Sequence, residues 1–278
     1  MALTEEATSR FVKAGNLRLH YHEAGSGPPL IMIHGGGPGA GGWSNYRRNV
    51  EHFAQSYRVI LPDLPGFAKS DKPVVEGGLL AFMAKAIRDL MDAIDIPRAH
   101  FVGNSLGGAT TMKFALDYPD RVRRIVLMGA PGLAIFTPQP AEGIKHLMNY
   151  YAPPGPSMEK LRAFLNVMVY DASQLTDQLI KERYEASIQP DLVANPILSP
   201  RTRANFEPIW RDISKIKHET LVVWGRDDRT VTLDHSFFIL NQLENVRLHV
   251  FGKCGHWAQW EKAAEFNRLV SDFLAAES

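Results

Sequence analysis

The sequence lacks the features that mark secreted, membrane-bound or nucleic-acid-binding proteins. Its single cysteine, Cys254, has no second thiol with which to form an internal disulfide, which fits a reducing compartment. The sequence contains no apolar run of roughly eighteen residues, and its N-terminus shows no apolar stretch of signal-peptide length. We therefore expect a cytoplasmic protein with no membrane partner.

Neither positive nor negative charge is in excess. Lys and Arg total 31 and Asp and Glu total 30, which gives a formal net charge of +1, and no basic run stands out. We therefore expect no nucleic acid and no anionic membrane surface as a partner. The sequence shows no metal-ligand cluster and no nucleotide-binding fingerprint, so we expect neither a metal nor a cofactor.

What the sequence does have is a series of short apolar runs, rich in Val and Ile. Such runs are typical of strands buried on both faces of a parallel sheet. Helical spacing of apolar residues over 79–95 separates two of them, and this alternation predicts a doubly wound, mostly parallel α/β sheet. The apolar runs of the predicted sheet are Leu30–Ile33, Arg58–Leu61, His100–Val102, Arg124–Met128, Leu221–Trp224 and Arg247–Phe251. Before this sheet, Gly15 and Asn16 predict an N-terminal hairpin.

The alternation stops between about Pro131 and Pro208. Ten of the 18 prolines fall in this interval, which contains only short amphipathic helical stretches such as Met158–Val169 and Gln174–Ala186. We interpret it as a helical cap inserted into the sheet domain. The predicted organisation is a first core part at residues 1–131, a helical lid at 132–207 and a second core part at 208–278.

The segment Gly103–Gly107 reads Gly-Asn-Ser-Leu-Gly, follows a predicted strand and opens a predicted helix. It matches the G-x-S-x-G nucleophile elbow, in which glycine at both flanks allows a tight turn. Ser105 would then lie at the carboxyl end of the sheet, where ligands of open α/β folds bind. The motif alone is weak, since a serine can simply cap a helix. The strand–turn–helix context favours the nucleophile.

An unactivated serine hydroxyl is a poor nucleophile and needs a base within hydrogen-bond reach. In this fold an acid follows the penultimate strand and a histidine follows the last strand. The last two predicted strands lead to Asp227-Asp228 and to His256. We expect His256 to carry the proton and one of the two aspartates to orient it. Cys254 has no base placed for it and is expected to be a buried bystander.

The segment His34–Gly39 reads His-Gly-Gly-Gly-Pro-Gly and follows the predicted strand Leu30–Ile33. In this fold the oxyanion hole combines a backbone amide from this loop with the amide of the residue after the nucleophile. We therefore expect Gly36, Gly37 and Leu106 to form the oxyanion hole. A phosphate-binding loop is the competing interpretation, but no G-K-[ST] follows.

Four segments go beyond the general pattern of the fold: His34–Tyr46, Gly103–Gly108, Trp224–Arg229 and Cys254–Glu261. Together they closely resemble the meta-cleavage product hydrolases of the α/β-hydrolase superfamily. The likeness is greatest to the 2-hydroxy-6-oxo-6-phenylhexa-2,4-dienoate hydrolases of biphenyl-type aromatic degradation, and it is weakest in the lid. The resemblance implies an α/β-hydrolase fold with a helical lid, Asp228 rather than Asp227 as the acid, and a homo-oligomer.

The resemblance further implies hydrolysis of a carbon–carbon bond in a ring-fission product, a vinylogous 1,5-diketone, without a cofactor. The products would be 2-hydroxypenta-2,4-dienoate and an aromatic acid such as benzoate. The dienol must first ketonise, because only then is there a carbon leaving group. Serine or water then adds to the C6 carbonyl.

The resemblance also implies polar contacts to the carboxylate and 2-oxo end of the substrate, from Asn45, Asn104, Arg183 and Trp257. A planar guanidinium can hold a carboxylate through two hydrogen bonds. The plain alternative for Arg183 is a salt bridge with Glu182 or Glu185. The two asparagines could instead pin their loops, and the tryptophan could simply pack.

Three positions depart from the biphenyl-type pattern. Leu106 stands where methionine is common, while Met168 and Thr230 stand where aromatic rings are usual. We expect Met168 and Thr230 beside the C6 substituent, whose identity this leaves open. Apolar lid residues could surround an aryl group or pack in the core, namely Ile135, Phe136, Leu147, Met148 and Val169.

Two other functions keep the same fold. A carboxylesterase would use the same triad without needing Arg183 or Asn45, and a non-catalytic binding protein would need no triad. Enzymes of the haloalkane dehalogenase and epoxide hydrolase types use aspartate as nucleophile, so Ser105 excludes them. The predicted triad and oxyanion loop together favour a hydrolase over the non-catalytic binding protein.

Overall fold

The computed structural model describes residues 3–198 and 206–276. Their strands are β1 (Ser9–Ala14), β2 (Leu17–Ala24), β3 (Pro29–Ile33), β4 (Arg58–Pro62), β5 (Ala99–Asn104), β6 (Val122–Met128), β7 (Thr220–Gly225) and β8 (Val246–Phe251). These strands form one sheet in the order β1-β2-β4-β3-β5-β6-β7-β8. β2 pairs antiparallel with β1 and with β4, and the other neighbours pair in parallel.

Helices cover both faces of the sheet and one of its ends. They are α1 (Glu5–Thr8), α2 (Gly42–Tyr46), α3 (Val50–Phe53), α4 (Leu79–Ala93), α5 (Leu106–Asp117), α6 (Glu142–Tyr150), α7 (Met158–Met168), α8 (Asp177–Ser187), α9 (Pro190–Ala194), α10 (Asp234–Gln242), α11 (Ala258–Glu261) and α12 (Ala263–Ala275). Within the described ranges, no helix is both long and apolar enough to cross a membrane.

The sheet forms from the apolar runs of the sequence, and the predicted fold class is confirmed. All residues of β5 and β7 are buried, as continuous apolar runs require when helices cover both faces. β8 lies at the sheet edge and is only half-buried along most of its length. The N-terminal hairpin also forms, with Ala14 opposite Leu17 and Gly15 in the left-handed region between them at φ 59°.

Two hydrophobic clusters make up the core of the sheet domain, and a third lies within the lid. One core cluster includes α4 and α5, and the other includes α12. The lid cluster is built around Tyr150, Phe164 and Leu165, and two tryptophans from beyond β8, Trp257 and Trp260, join it. The segment after the last strand therefore ties the lid to the sheet domain.

Between β6 and β7 the described residues form helices joined by loops, and no strand is among them. α7 begins at Met158 as expected, whereas α8 begins at Asp177, three residues after the expected Gln174. The reason is a cap, because the side chain of Thr176 accepts a hydrogen bond from the Leu179 N–H at 3.2 Å. Residues 199–205 of the predicted lid lie outside the described residues, and the lid boundaries at 132 and 207 stay a prediction.

Candidate active site

Ser105 lies at a sharp turn between the end of β5 and the start of α5. Its backbone has φ 53° and ψ −114°, a conformation that is strained for a residue with a side chain. A Cβ atom on Gly103 would lie 2.5 Å from the Gly107 carbonyl oxygen, and one on Gly107 would lie 2.2 Å from the Ile33 oxygen. Glycine is thus sterically required at both flanks of the serine. The turn is held by a hydrogen bond of 2.8 Å from the Ser105 N–H to the Met128 oxygen.

His256 and Asp228 form a buried hydrogen-bonded pair. The distance between His256 Nδ1 and Asp228 Oδ2 is 2.7 Å, and the two residues are 2% and 5% exposed. The other carboxylate oxygen, Oδ1, accepts the backbone N–H groups of Thr230 at 2.7 Å and Val231 at 3.0 Å. Because the carboxylate is an acceptor, Nδ1 carries a proton, and Nε2 of the neutral ring is free to accept one.

The remaining ring nitrogen of His256 is buried. Its Nε2 atom has no hydrogen-bond partner in the described part of the chain. A Cβ atom on Gly129, which follows β6, would lie 2.7 Å from the Cε1 atom of this ring, so the imidazole fits only against a glycine. Asp227 takes no part, since its carboxylate hydrogen-bonds Arg226 and the Cys254 N–H.

The glycine loop after β3 lies directly against the serine turn. A Cβ atom on Gly35 would lie 2.9 Å from Asn104 Oδ1 and 3.3 Å from the Ser105 Cβ, and one on Gly36 would lie 3.1 Å from Leu106 Cδ2. Leu106 opens α5, where the N–H groups of a first helical turn have no partner within the helix. The glycine loop and the first residue of α5 therefore lie close together beside the serine.

His34, which begins this loop, has both ring nitrogens engaged. Nδ1 donates to the Gly35 oxygen at 2.7 Å, and Nε2 accepts the Leu64 N–H at 3.0 Å. Complete burial lowers the pKa of His34, in agreement with the neutral ring that these two hydrogen bonds require. Its contacts are those of a loop-ordering residue.

A cavity of about 510 Å³ connects these groups, at the carboxyl ends of the parallel strands. Asp228 lies behind His256 and outside the cavity wall. The sequence-predicted site residues that line the cavity are Ser105, His256, Gly36, Gly37, Leu106, Asn45, Asn104, Arg183, Trp257, Met168 and Thr230. The structure thus brings together the predicted nucleophile, its histidine, the residues expected to form the oxyanion hole and every residue that the family resemblance assigned to substrate contact.

The apolar lid residues divide into three groups. Leu147 and Met148 line the cavity, whereas Val169 is buried in the lid cluster. Ile135 and Phe136 are 49% and 78% exposed, and neither is in the cavity wall. The expectation that these last two could surround an aryl group is therefore wrong, because the loop that carries them turns outward.

Arg183, from α8, is a buried cation in the cavity wall. It is 2% exposed, and burial lowers its pKa to about 10. Its Nε atom donates to the Pro38 oxygen at 2.8 Å, and its guanidinium lies 5.3 Å from the Trp257 ring. The alternative salt bridge is not seen, since Glu182 and Glu185 pair with other residues. Among the described residues no carboxylate pairs with it, so this cation is suited to an anionic ligand.

Two buried amide groups also lack partners beside the cavity. Asn45 Nδ2 and Asn104 Oδ1 make no hydrogen bond to any described residue. The other half of the Asn104 amide donates to the Met128 oxygen at 3.3 Å. Buried polar atoms are rarely left unpaired in a folded protein, and a ligand in the cavity could satisfy both.

Two ionisable residues of the cavity wall, Glu207 and His235, were not predicted from the sequence. Glu207 accepts the backbone N–H groups of Leu80 and Ala81, each at 2.8 Å, and so caps α4 from across the chain. His235, in the first turn of α10, accepts the Gly132 N–H on its Nδ1 atom at 3.1 Å. Both residues line the cavity, but neither belongs to a motif that could have revealed it.

Known proteins resemble this chain over nearly its whole length. The family model described as alpha/beta hydrolase fold matches residues 28–263. A 2-hydroxy-6-oxo-6-phenylhexa-2,4-dienoate hydrolase of Burkholderia cepacia is 49% identical, with 98% of each chain covered. A 2-hydroxy-6-oxononadienedioate/2-hydroxy-6-oxononatrienedioate hydrolase of Comamonas testosteroni is 47% identical, again with 98% of each covered. The solved meta-cleavage product hydrolase CumD of Pseudomonas fluorescens is 38% identical, with a TM-score of 0.86 over 95% of this chain and 97% of its own.

Proposed function

The chain belongs to the α/β-hydrolase family and, within it, to the meta-cleavage product hydrolases; from this premise we propose the reaction, substrate and catalytic groups. The reaction is hydrolysis of the C5–C6 bond of a 2-hydroxy-6-oxo-hexa-2,4-dienoate. Its products are 2-hydroxypenta-2,4-dienoate and the carboxylic acid that carries the C6 substituent. The observation that carries this proposal is a cavity lined by Ser105, by His256 with Asp228 behind it, and by a buried Arg183 that has no carboxylate partner among the described residues.

In this proposal Arg183 holds the substrate carboxylate, which is the only charge the substrate carries besides its enol. The buried guanidinium gains an anionic partner, and the carboxylate gains two charge-assisted hydrogen bonds. The unpaired Asn45 Nδ2 and Asn104 Oδ1 atoms contribute a donor and an acceptor for the 2-oxo end. Such positioning orients the dienol so that a proton can be delivered to C5.

The triad residues act on C6. His256 Nε2 accepts the proton of Ser105 or of a water molecule, whichever attacks the C6 carbonyl, and Asp228 stabilises the imidazolium that results. Negative charge then develops on the carbonyl oxygen, where the amides of the glycine loop and Leu106 stabilise it by about 3–4 kcal/mol per donor. Collapse of the adduct breaks the C5–C6 bond, because the ketonised product fragment can leave as a carbon anion stabilised by its 2-oxo group, and the imidazolium of His256 returns its proton to that fragment. Attack by water yields the carboxylic acid directly, whereas attack by Ser105 leaves an acyl-serine that a water molecule then hydrolyses.

The wall of the cavity favours an uncharged C6 group. Arg183 is the one cationic side chain among the described residues of the wall, whereas Glu207 contributes a carboxylate. A second carboxylate on the substrate would lose its hydration without gaining a cation. We therefore propose the 6-phenyl compound, the substrate in the name of the Burkholderia relative, over the dicarboxylate in the name of the Comamonas relative.

The test is to mix the enzyme with 2-hydroxy-6-oxo-6-phenylhexa-2,4-dienoate and to follow loss of the coloured dienolate and release of benzoate. We expect stoichiometric benzoate, a kcat/KM at least about 100-fold above that for the dicarboxylate, and no turnover by Ser105→Ala. The matched control is Ser214→Ala, which changes an exposed serine. Inertness towards both substrates with brisk hydrolysis of a simple aryl ester would instead assign a carboxylesterase.

A further inference from the structure

Two polar features of the cavity wall lie on opposite sides of Ser105. Arg183 hydrogen-bonds Pro38 in the loop after β3, while His235 hydrogen-bonds Gly132 just after β6. Ser105 itself follows β5, and β5 lies between β3 and β6 in the sheet. The serine therefore separates the cationic side of the cavity from the side that contains His235.

If the proposed function holds, the side of the cavity that contains His235 receives the C6 substituent of the substrate. A substrate held through its carboxylate at Arg183 presents C6 to Ser105, so its C6 substituent extends past the serine. The groups on that side are Gly132, Thr230, Val231 and His235, with Gln139 and Ile144 from the lid. A subsite built only for a bare phenyl ring would not need hydrogen-bonding side chains there.

The hydrogen bonds of His235 determine which of its nitrogens carries a proton. The Gly132 N–H donates to Nδ1 at 3.1 Å, so Nδ1 has no proton and the neutral ring carries its hydrogen on Nε2. Burial lowers the pKa of His235, which keeps the ring neutral. No described residue hydrogen-bonds the Nε2 atom, and His235 as a whole residue is 8% exposed. The Nε2–H group of His235 in the cavity wall is therefore a donor without an acceptor among the described residues.

The neighbouring hydroxyl is already used. Thr230 Oγ1 donates its hydrogen to Met168 Sδ at 3.3 Å. On this side of the cavity the imidazole N–H is therefore better placed than the threonine to donate to a ligand.

We infer that His235 is a specificity-determining residue, which selects substrates whose C6 aryl group carries an oxygen that can accept a hydrogen bond, such as a ring hydroxyl. The group remains uncharged, in keeping with Glu207 in the same cavity wall. The hydrogen bond forms outside the reacting atoms, so it raises kcat/KM through binding of the substituent.

The experiment compares kcat/KM for substrates with a hydroxyphenyl or a tolyl group at C6, with the substituent in the 2, 3 or 4 position of the ring. A methyl group matches the hydroxyl in size but cannot accept a hydrogen bond. For the wild-type enzyme we expect a hydroxyl-to-methyl ratio of about tenfold at the ring position that reaches His235. His235→Gln retains a side-chain N–H donor and should retain the ratio, whereas His235→Leu should bring it close to one.

The 6-phenyl substrate is the reference for all three enzymes. If the wild type does not cleave it, the proposed function fails, whatever the ratios are. If the wild type cleaves it but the ratio stays below about twofold at every ring position, or if His235→Leu keeps the wild-type ratio, the inference about His235 is overturned. Should the leucine variant not fold, the wild-type series over three ring positions still decides.

Discussion

Ser9 belongs to a serine–histidine–aspartate hydrogen-bond chain, whereas Ser105 makes no hydrogen bond to His256 in this structure. Ser9 Oγ lies 2.7 Å from His20 Nε2, and His20 Nδ1 lies 2.6 Å from Asp63 Oδ2. Neither Ser9 nor His20 lines the 510 Å³ cavity, and the relay instead ties the N-terminal hairpin to the sheet domain. Ser105 instead has the strained turn, the adjacent glycine loop and the cavity. Hydrogen-bond geometry alone would therefore not have identified the site.

At the residue scale, Arg183 combines a proposed functional gain with a cost in stability. Its guanidinium is desolvated without a carboxylate partner in the described chain. We expect Arg183→Met to lower kcat/KM for the 6-phenyl substrate about 100-fold or more, because a hydrogen-bonded charge pair with the substrate is lost. The melting temperature should not fall, since an apolar side chain of similar length removes a buried charge.

Steady-state kinetics and thermal unfolding of the same protein samples check this prediction. Arg47→Met is the matched control, because Arg47 forms an exposed salt bridge with Glu182 on the same helix. Unchanged kcat/KM together with a lower melting temperature would contradict the proposed role and make Arg183 a structural residue.

The polar residues of the cavity wall differ in whether they could be predicted from the sequence. Asn45, Asn104 and Arg183 were expected there, but only through a family resemblance. Glu207 and His235 belong to no motif, and their contacts with Ala81 and Gly132 join positions that are more than a hundred residues apart in the chain. No local pattern encodes such contacts, because each depends on how separate elements pack.

At the scale of elements, one carboxylate holds the beginning of the lid segment on α10. Asp234 Oδ2 accepts the backbone N–H groups of Ile135 at 2.8 Å, Phe136 at 2.8 Å and Thr137 at 2.9 Å. Burial raises the pKa of Asp234, but the hydrogen bond from the Thr232 hydroxyl and these three backbone N–H groups together hold it below its usual range. The loop that leaves β6 is thereby attached to the helix that follows β7.

We expect Asp234→Asn to loosen this attachment, because the neutral amide is a weaker acceptor and its NH₂ group cannot accept at all. The free energy of unfolding should fall by about 1–3 kcal/mol. Limited proteolysis should cut the loop near Phe136 faster than in the wild type. Asp212→Asn is the control, since the half-exposed Asp212 pairs with Lys215 at the surface. Equal cleavage rates in the two variants would mean that Asp234 does not restrain the lid.

Element types could be predicted well because each has a local signature. The buried strands were visible as apolar runs, and α4 as a 3.6-residue period. Element ends were less certain, as at Asp177, where a side-chain cap at Thr176 decided the start of α8. Capping of α4 by Glu207 could not be predicted, because the cap comes from a distant part of the chain.

At the scale of the whole molecule, burial of histidines makes stability depend on pH. Burial lowers the pKa of His22 and of His100 to about 4 and also lowers the pKa of His34 and His235. In the unfolded chain these rings protonate near pH 6.5, while in the folded protein they stay neutral to lower pH. Between these values the unfolded state binds more protons, so the free energy of unfolding falls as the pH is lowered.

The expected slope is about 1.4 kcal/mol per pH unit for each such histidine between its two pKa values. Urea unfolding at a series of pH values from 7 to 4.5 measures it. His100→Gln should reduce proton uptake on unfolding at pH 5 by about one, because it removes one buried ring. A slope that is the same in wild type and variant would show that His100 titrates alike in both states.

By itself the sequence determined the class of fold and the chemistry at its centre. Strand burial, the serine turn and the glycine loop are encoded within short segments, because backbone conformation and close approach depend on neighbouring residues. Only the tertiary structure decided which side chains share a cavity. Arg183, Glu207 and His235 come from separate parts of the chain. Their charges and hydrogen bonds affect a ligand strongly only because packing removes water from around them. The fold class could be predicted because its signals lie within short segments of the chain, whereas Glu207 and His235 could not be predicted in the cavity wall because they are neighbours of the other site residues only in space.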